Sequence, residues 1–251
     1  MSGKNYENDI RKWWDSASSY YQEEISGDRM TDVNYGPFGS SEEKLKLLGG
    51  IRGKNILEIG CGGGQASIAL AKKGGICTAI DISAEQINTA VKNAVKSGVT
   101  VNFMRMPFSS INKLKEREFD IIISVMSLQY CSDLNRLFKR IKKLLKPEGV
   151  FVFSIEHPFY LLINPDNMKI EESYFNEGVK RKKEVWPDKS VHYFVYYDHK
   201  ISTIVNSILS SGLKLERIVE PLQLKDKVWG AGYRKALVNR IGPTIIFKCR
   251  N

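Results

Sequence analysis

The sequence predicts a doubly wound α/β fold around a mostly parallel seven-stranded sheet, and three observations carry that prediction. Short runs of Ile, Val and Phe alternate with helical segments, and the runs are apolar throughout, as in a parallel sheet covered on both faces. A glycine-rich turn at residues 60–64 joins the first run to the first helix. An acidic residue, Asp81, ends the second run. An N-terminal helical cap precedes the sheet, and an insertion follows strand five.

The elements follow in order. Residues 1–48 read as helical or irregular and are rich in aromatics, among them Trp13, Trp14, Tyr20, Tyr21, Tyr35 and Phe38. Residues 55–59 read as the first strand, 65–73 as a helix with Ile68, Ala69 and Ala71 as its apolar members, and 76–80 as the second strand. Ser83, with Gln86 three residues on, matches a capping box. The helix it opens runs to Gly98, a good C-terminal stop. Residues 99–104 read as the third strand and 119–125, FDIIISV, as the fourth and most apolar. Ser132 or Asp133 caps a helix in which Leu134, Leu137, Phe138, Ile141, Leu144 and Leu145 keep the 3.6-residue period. Pro147 and Gly149 end it, and 150–155 is the fifth strand. Residues 156–190 break the pattern: they are polar, charged and aromatic, and read as an insertion over the sheet edge. Residues 192–197 and 213–219 then read as strands flanking a helix at 202–211, and 244–249 as the last strand. Right-handed crossovers join the parallel strands. One domain results: a cap at 1–48, a ligand-binding core at 50–155, an insertion or lid at 156–190, and the remainder of the sheet at 191–251.

Composition narrows the setting. A chain of 251 residues is long enough for one substantial core. The start of the chain is polar, without the apolar stretch of a signal peptide. The most apolar stretch, 149–163, is too short for a membrane span and is broken by Glu156, His157 and Pro158. A cytoplasmic protein without a membrane partner is expected. Cys61, Cys77, Cys131 and Cys249 form no C-x-x-C pair, so reduced thiols are expected and no metal site. The net charge is +10, and basic residues cluster at 139–146 and 180–183. No aromatic residues alternate with these clusters as a base-stacking platform requires.

The glycine turn points to a ligand. Glycines admit positive φ and close approach of a ligand to the backbone, and a doubly wound sheet binds ligands beyond the carboxyl ends of its strands. A dinucleotide fingerprint counted from Gly60 would place its third glycine at Gln65, and Glu58 stands where a pyrophosphate would be repelled. S-adenosylmethionine carries an ammonium and a sulfonium, which a carboxylate favours. Asp81, about 20 residues beyond the first glycine, is placed to accept bonds from ribose hydroxyls of either cofactor.

On these residues the sequence resembles the class I, Rossmann-like S-adenosylmethionine-dependent methyltransferases. LEIGCGGGQ (57–65) is similar to their first motif and AIDIS (79–83) to their acidic strand end. FDIIISVMSLQYC (119–131) and LLKPEGVFVFS (144–154) are similar to the motifs at strands four and five. A narrower resemblance, to the methyltransferase type 11 group, extends to WWDSASSYYQEE (13–24), NYGPFGSSEEKLKLLG (34–49), EHPFY (156–160), SYF (173–175), the stretch 196–221 and PTIIFKCR (243–250). This narrower resemblance implies a small-molecule substrate. The resemblance implies that Gly60, Gly62 and Gly64 shape the methionine-binding loop, with Cys61 and Gln65 part of it. It implies that Glu58 orients the amino-acid end, Asp81 holds the ribose and Ile82 packs on the adenine, with Gln86 in the same set. Met106, Pro107 and Phe108 fall where the family places the adenine edge, Val125 and Met126 near the methionine moiety, and Tyr21 and Tyr35 reach in from the cap. Arg105 stands where the family usually has an acid.

The implied reaction is an in-line displacement at carbon that leaves S-adenosylhomocysteine. The protein supplies orientation and water exclusion, and the cap and insertion could form the lid. A general base is needed only for a protonated acceptor; His157, just after strand five, is the candidate. Two other readings stay open. One is a nucleic-acid methyltransferase, although residues 124–127 read Ser-Val-Met-Ser where amino-methylating enzymes of that kind carry Asn/Asp-Pro-Pro-Tyr/Phe, and no Pro-Cys dipeptide occurs. The other is a non-catalytic cofactor-binding protein of this fold.

Overall fold

The computed structural model describes residues 6–25, 30–186, 189–221 and 234–251. Parts of the expected cap (1–5 and 26–29), insertion (187–188) and C-terminal region (222–233) lie outside the described residues. Helices α1 (Glu7–Ile25) and α2 (Glu42–Leu45) belong to the cap. The core alternates as β1 (Asn55–Ile59), α3 (Gln65–Lys72), β2 (Ile76–Asp81), α4 (Ala84–Ser97), β3 (Asn102–Arg105), β4 (Phe119–Val125), α5 (Leu134–Leu144) and β5 (Leu145–Glu156). Two 3-10 turns, Phe108–Lys113 and Leu128–Tyr130, follow β3 and β4. Then come α6 (Pro158–Leu161), β6 (Gly178–Val185), β7 (Val191–Asp198), α7 (Ile201–Ser211), β8 (Lys214–Val219), α8 (Lys235–Val238) and β9 (Thr244–Arg250).

The main sheet has seven strands in the order β3-β2-β1-β4-β5-β9-β8. The first five run parallel, and β9 runs antiparallel to both β5 and β8. Side-chain alternation along each central strand serves two cores. Leu57 and Ile59 join the cluster under α5 and α7, while Ile56 joins the cluster with Leu70 of α3 and Leu47 and Leu48 of the cap. Glu58 therefore shares the α3 face, and this alternation fixes where its carboxyl goes.

Local rules account for the helix ends. Ser83 Oγ accepts the Gln86 N–H at 3.1 Å, and Gly98 closes α4 at φ +65°. Asp133, not Ser132, caps α5. Two boundaries differ from expectation. Helix α5 stops at Leu144, and the chain is extended from Leu145, which pairs with Phe119. Pro147 and Gly149 lie in a register irregularity of β5, with Glu148 at φ +59°.

Residues 191–198 do not join the main sheet, as the sequence suggested. They pair antiparallel with β6 in a separate hairpin that the polar sequence of 178–185 concealed. The hairpin's apolar residues bind the cap instead: Phe194 lies 4.8 Å from Trp13 and 6.1 Å from Tyr130, ring to ring. No helix among the described residues is long and apolar enough to cross a membrane.

Candidate functional site

A cavity of about 950 Å³ opens at the carboxyl ends of β1, β2 and β4. Its floor is the turn after β1. Gly60 and Cys61 both donate their N–H to the Ile80 carbonyl, at 2.8 and 3.0 Å, which folds the turn over the end of β2. Gly60, Gly62 and Gly64 take φ values of +71°, +52° and +78°, a region that glycine enters without strain. Gly64 caps α3 and packs against Phe103 and Ala90 on the far side from the cavity.

Asp81 organises this turn. One carboxylate oxygen accepts the Gly62 N–H at 2.9 Å and the other the Ser83 N–H at 2.9 Å. Gln86 consequently leaves the capping box half made: with the Ser83 N–H already taken, its side chain accepts from Gln22 instead. Burial pushes the Asp81 carboxyl up to about 6 against these backbone bonds. Glu58 accepts from the Ser67 N–H at 2.8 Å and from the Ser67 hydroxyl. Burial raises it to about 7, and the Asp81 charge adds to the rise. The Cys61 thiol is held well above its ordinary range by burial, then by Asp81 and Glu58. A thiol so disfavoured as thiolate is a fitting residue and no nucleophile.

Twelve of the expected residues line one cavity: Tyr21, Glu58, Gly60, Cys61, Gly62, Gln65, Asp81, Ile82, Gln86, Phe108, Val125 and Met126. Five do not. Gly64 shapes the turn from behind. Met106 turns into the core, with its N–H on the Asp81 carbonyl at 2.7 Å, and Pro107 serves as the cap of the 3-10 turn. Tyr35 is fully buried and donates to Glu42 at 2.7 Å; its neighbours Asn34 and Gly36 face the cavity in its place. Arg105, in the position of the missing acid, donates to the Ile82 carbonyl at 3.3 Å.

His157 is also outside the cavity. Its Nδ1 accepts the Phe159 N–H at 3.2 Å, so Nε2 carries the proton and donates to Glu220 at 2.8 Å. The ring is a helix cap, buried and already committed on both sides. His157→Gln is expected to leave kcat within about twofold and to lower the melting temperature by a few degrees. A tenfold loss of kcat would restore it as a base.

The cap contributes groups with no local sequence signal. Gln22 of α1 accepts from Gln65 at 2.6 Å and donates to Gln86 at 2.8 Å, so three glutamines bridge the cap to α3 and α4. Asp15 accepts from the Ser83 hydroxyl at 2.8 Å and the Ala84 N–H at 3.0 Å. Trp14 packs edge-on against Tyr21 and Tyr130, at 5.2 and 5.7 Å, and all three rings line the cavity. Beyond Phe108 the cavity continues between the first 3-10 turn and α5, past Ser109, Asn112, Arg136, Lys139 and Lys143.

Residues 57–153 match the family model described as a methyltransferase domain. The chain is 26% identical over 159 residues to the ubiquinone biosynthesis O-methyltransferase of Pasteurella multocida (strain Pm70), covering 59% of this chain and 61% of that relative. The chain thus spans about three fifths of that relative's length. Among solved structures, an S-adenosylmethionine dependent methyltransferase from Mesorhizobium loti superposes with a TM-score of 0.60 at 20% identity, over 82% of this chain and 95% of that one. A geranyl diphosphate methyltransferase in complex with GPP and sinefungin gives 0.67 at 14% identity, over 98% of each chain. At these identities the likeness is one of fold. The chain has the Rossmann-like fold of the class I methyltransferases.

Proposed function

We propose, for a chain whose residues 57–153 match the methyltransferase domain, that it is an S-adenosylmethionine-dependent methyltransferase acting on a small-molecule acceptor. The observation that carries this reading is the pair of buried carboxylates, Glu58 and Asp81, flanking a turn of positive-φ glycines. A diphosphate would meet two acids there; a cationic cofactor meets complementary charge. Asp81 is placed to accept ribose hydroxyls, Glu58 and the turn to receive the amino-acid end, and Ile82 and Phe108 to enclose the base. S-adenosylmethionine supplies the methyl group on a leaving sulfonium, so the chain's part is to orient and to keep the site dry. Trp14, Tyr21 and Tyr130 do the second task, and their rings suit a small, partly apolar acceptor. The P. multocida relative's description supports an acceptor of that size.

The test is calorimetric titration with S-adenosylhomocysteine and, in parallel, NAD, followed by a labelled-methyl screen of metabolite pools. Uptake of NAD with no response to S-adenosylhomocysteine would defeat the reading. The carboxylates also set a pH dependence. Both stand above their ordinary values, and a cationic ligand favours their ionised forms. Binding therefore releases protons, and affinity falls as pH drops through about 7 and then about 6. Titrations at pH 5.5 and 8 (about tenfold weaker at the lower pH) in buffers of different ionisation enthalpy check both statements.

Cap closure enters through Gln22. Replacing it with Ala removes the bridge between α1 and the turn. Gln22→Ala is expected to weaken S-adenosylhomocysteine binding about tenfold, with the melting temperature of the ligand-free protein nearly unchanged.

A further inference from the structure

The methyl-transfer reading leaves the basic end of the cavity unused. Segments 105–118 and 133–148 adjoin one another through Arg140, which donates to the Asn112 carbonyl at 2.9 Å and the Leu114 carbonyl at 2.6 Å. Together these segments hold ten Lys and Arg against four carboxylates, a net of +6 of the chain's +10. Some cations elsewhere are ion-paired, among them Lys73 with Asp32, Lys200 with Glu177 and Arg250 with Glu216. Within this face Arg140 pairs with Glu116 and Lys146 with Asp120. Arg136, Lys139 and Lys143 are exposed, make no ion pair among the described residues, and line the groove that continues from Phe108. Asp133, the α5 cap, is the carboxylate that lines it with them.

Helix energetics alone do not favour this arrangement. Lys143, in the last turn of α5, suits the negative end of the helix. Arg136 lies in the first turn, where the helix dipole repels a cation and a carboxylate is the favoured choice. Residues 136, 139 and 143 fall on one stripe of the helix and span about 10 Å of its axis, near the rise of three phosphates at about 3.4 Å per strand residue. The opposite wall offers Ser109 and Asn112.

We infer that this groove binds a nucleic-acid backbone, as a second ligand site that meets the cofactor cavity at Phe108. A membrane surface fits less well. None of the exposed large apolar side chains falls in either segment, so nothing among the described residues there would insert into lipid, and a concave groove does not follow a flat bilayer. An enclosed small anion fits less well too, because exposed cations in water each contribute little and many must act along one strand. The inference concerns binding rather than the methyl acceptor, and it stands or falls independently of the proposed methyl transfer.

The test is fluorescence anisotropy of a labelled 20-nucleotide single-stranded RNA with the full chain, from 50 to 300 mM salt. A triple variant, R136E/K139E/K143E, is compared with a control, R181E/K182E/K183E, that reverses three charges on β6. The expected result is salt-dependent binding that the groove variant weakens at least tenfold, with the slope of log K against log salt smaller by about 2, at about 0.7 per phosphate contact. The control should keep most of the affinity. Equal loss in both variants would mean unspecific charge and overturn the inference. So would absence of RNA binding, or binding only to anionic phosphatidylglycerol vesicles. Melting temperatures report that each variant folds; should the triple variant not fold, K139Q/K143Q carries the same comparison, with about two thirds of the change in slope.

Discussion

Asp81→Asn is expected to weaken S-adenosylhomocysteine binding about 100-fold, close to 3 kcal/mol, while the protein still folds. Two separate functions of one carboxylate make the effect large. Its oxygens accept the Gly62 and Ser83 N–H groups, each at 2.9 Å, which holds the glycine turn in shape. Under the proposed function its remaining lone pairs receive the ribose hydroxyls. Asparagine presents a single oxygen, so one of the two backbone donors then faces an NH2, and the charge that strengthens every one of these bonds is gone. The effect on stability differs in sign with pH. A carboxyl raised from 3.8 to about 6 by burial contributes stability below about pH 4, and that contribution is lost as pH rises through 6. At pH 8 the ionised Asp81 therefore burdens the unliganded protein, and the substitution relieves part of that burden while removing binding. Calorimetry for affinity and thermal unfolding at pH 5 and 8 separate the two. Affinity within threefold of the parent would show that Asp81 is only a structural brace.

How much of this was legible in the sequence depends on the range over which each signal acts. The turn at 60–64, the strand end at Asp81 and the cap at Ser83 are written within a few residues, and each lies where the local pattern placed it. Residues whose role depends on distant docking were hidden. Gln22 meets Gln65 and Gln86 only because α1 lies across the loop, and no spacing in the N-terminal stretch singles it out from Gln86's own viewpoint 64 residues away. The family resemblance implied that Tyr35 reaches the cavity from the cap. The positive φ of Gly36 (+113°) turns the chain so that Asn34 and Gly36 face inward, and Tyr35 is left in the core against Glu42. Strand β6 escaped for a different reason: Lys180, Arg181, Lys182 and Lys183 erase the apolar alternation, since a two-stranded hairpin lying on the cap needs only one apolar strand, β7, beneath it. His157 lies at the end of β5 as expected, but position in sequence does not reveal that both ring nitrogens are already bonded.

Gly60→Ala is expected to cost about 3 kcal/mol of stability and to lower the melting temperature by about 10 °C. Two costs add. At φ +71° an L-residue pays about 1–2 kcal/mol for the left-handed conformation. The new methyl group would also overlap Cβ and Oγ of Ser127, which cannot step aside. The Ser127 hydroxyl is held between the Ile59 carbonyl at 2.9 Å and Ser124 Oγ at 2.6 Å, at the buried end of β4. Gly62→Ala is the internal control. Its φ is +52°, but its nearest neighbours beyond the chain would be Gln86 Oε1 at 3.7 Å and Gln22 Nε2 at 3.8 Å, so only the backbone cost of about 1 kcal/mol applies. The double variant G60A/S127G isolates the steric part. It removes the overlap and leaves the φ penalty, so it should recover stability relative to G60A alone, despite the loss of the Ser127 hydrogen bonds. A G60A protein as stable as G62A would mean that the turn relaxes freely, and that its shape is not imposed by β4 pressing from beneath.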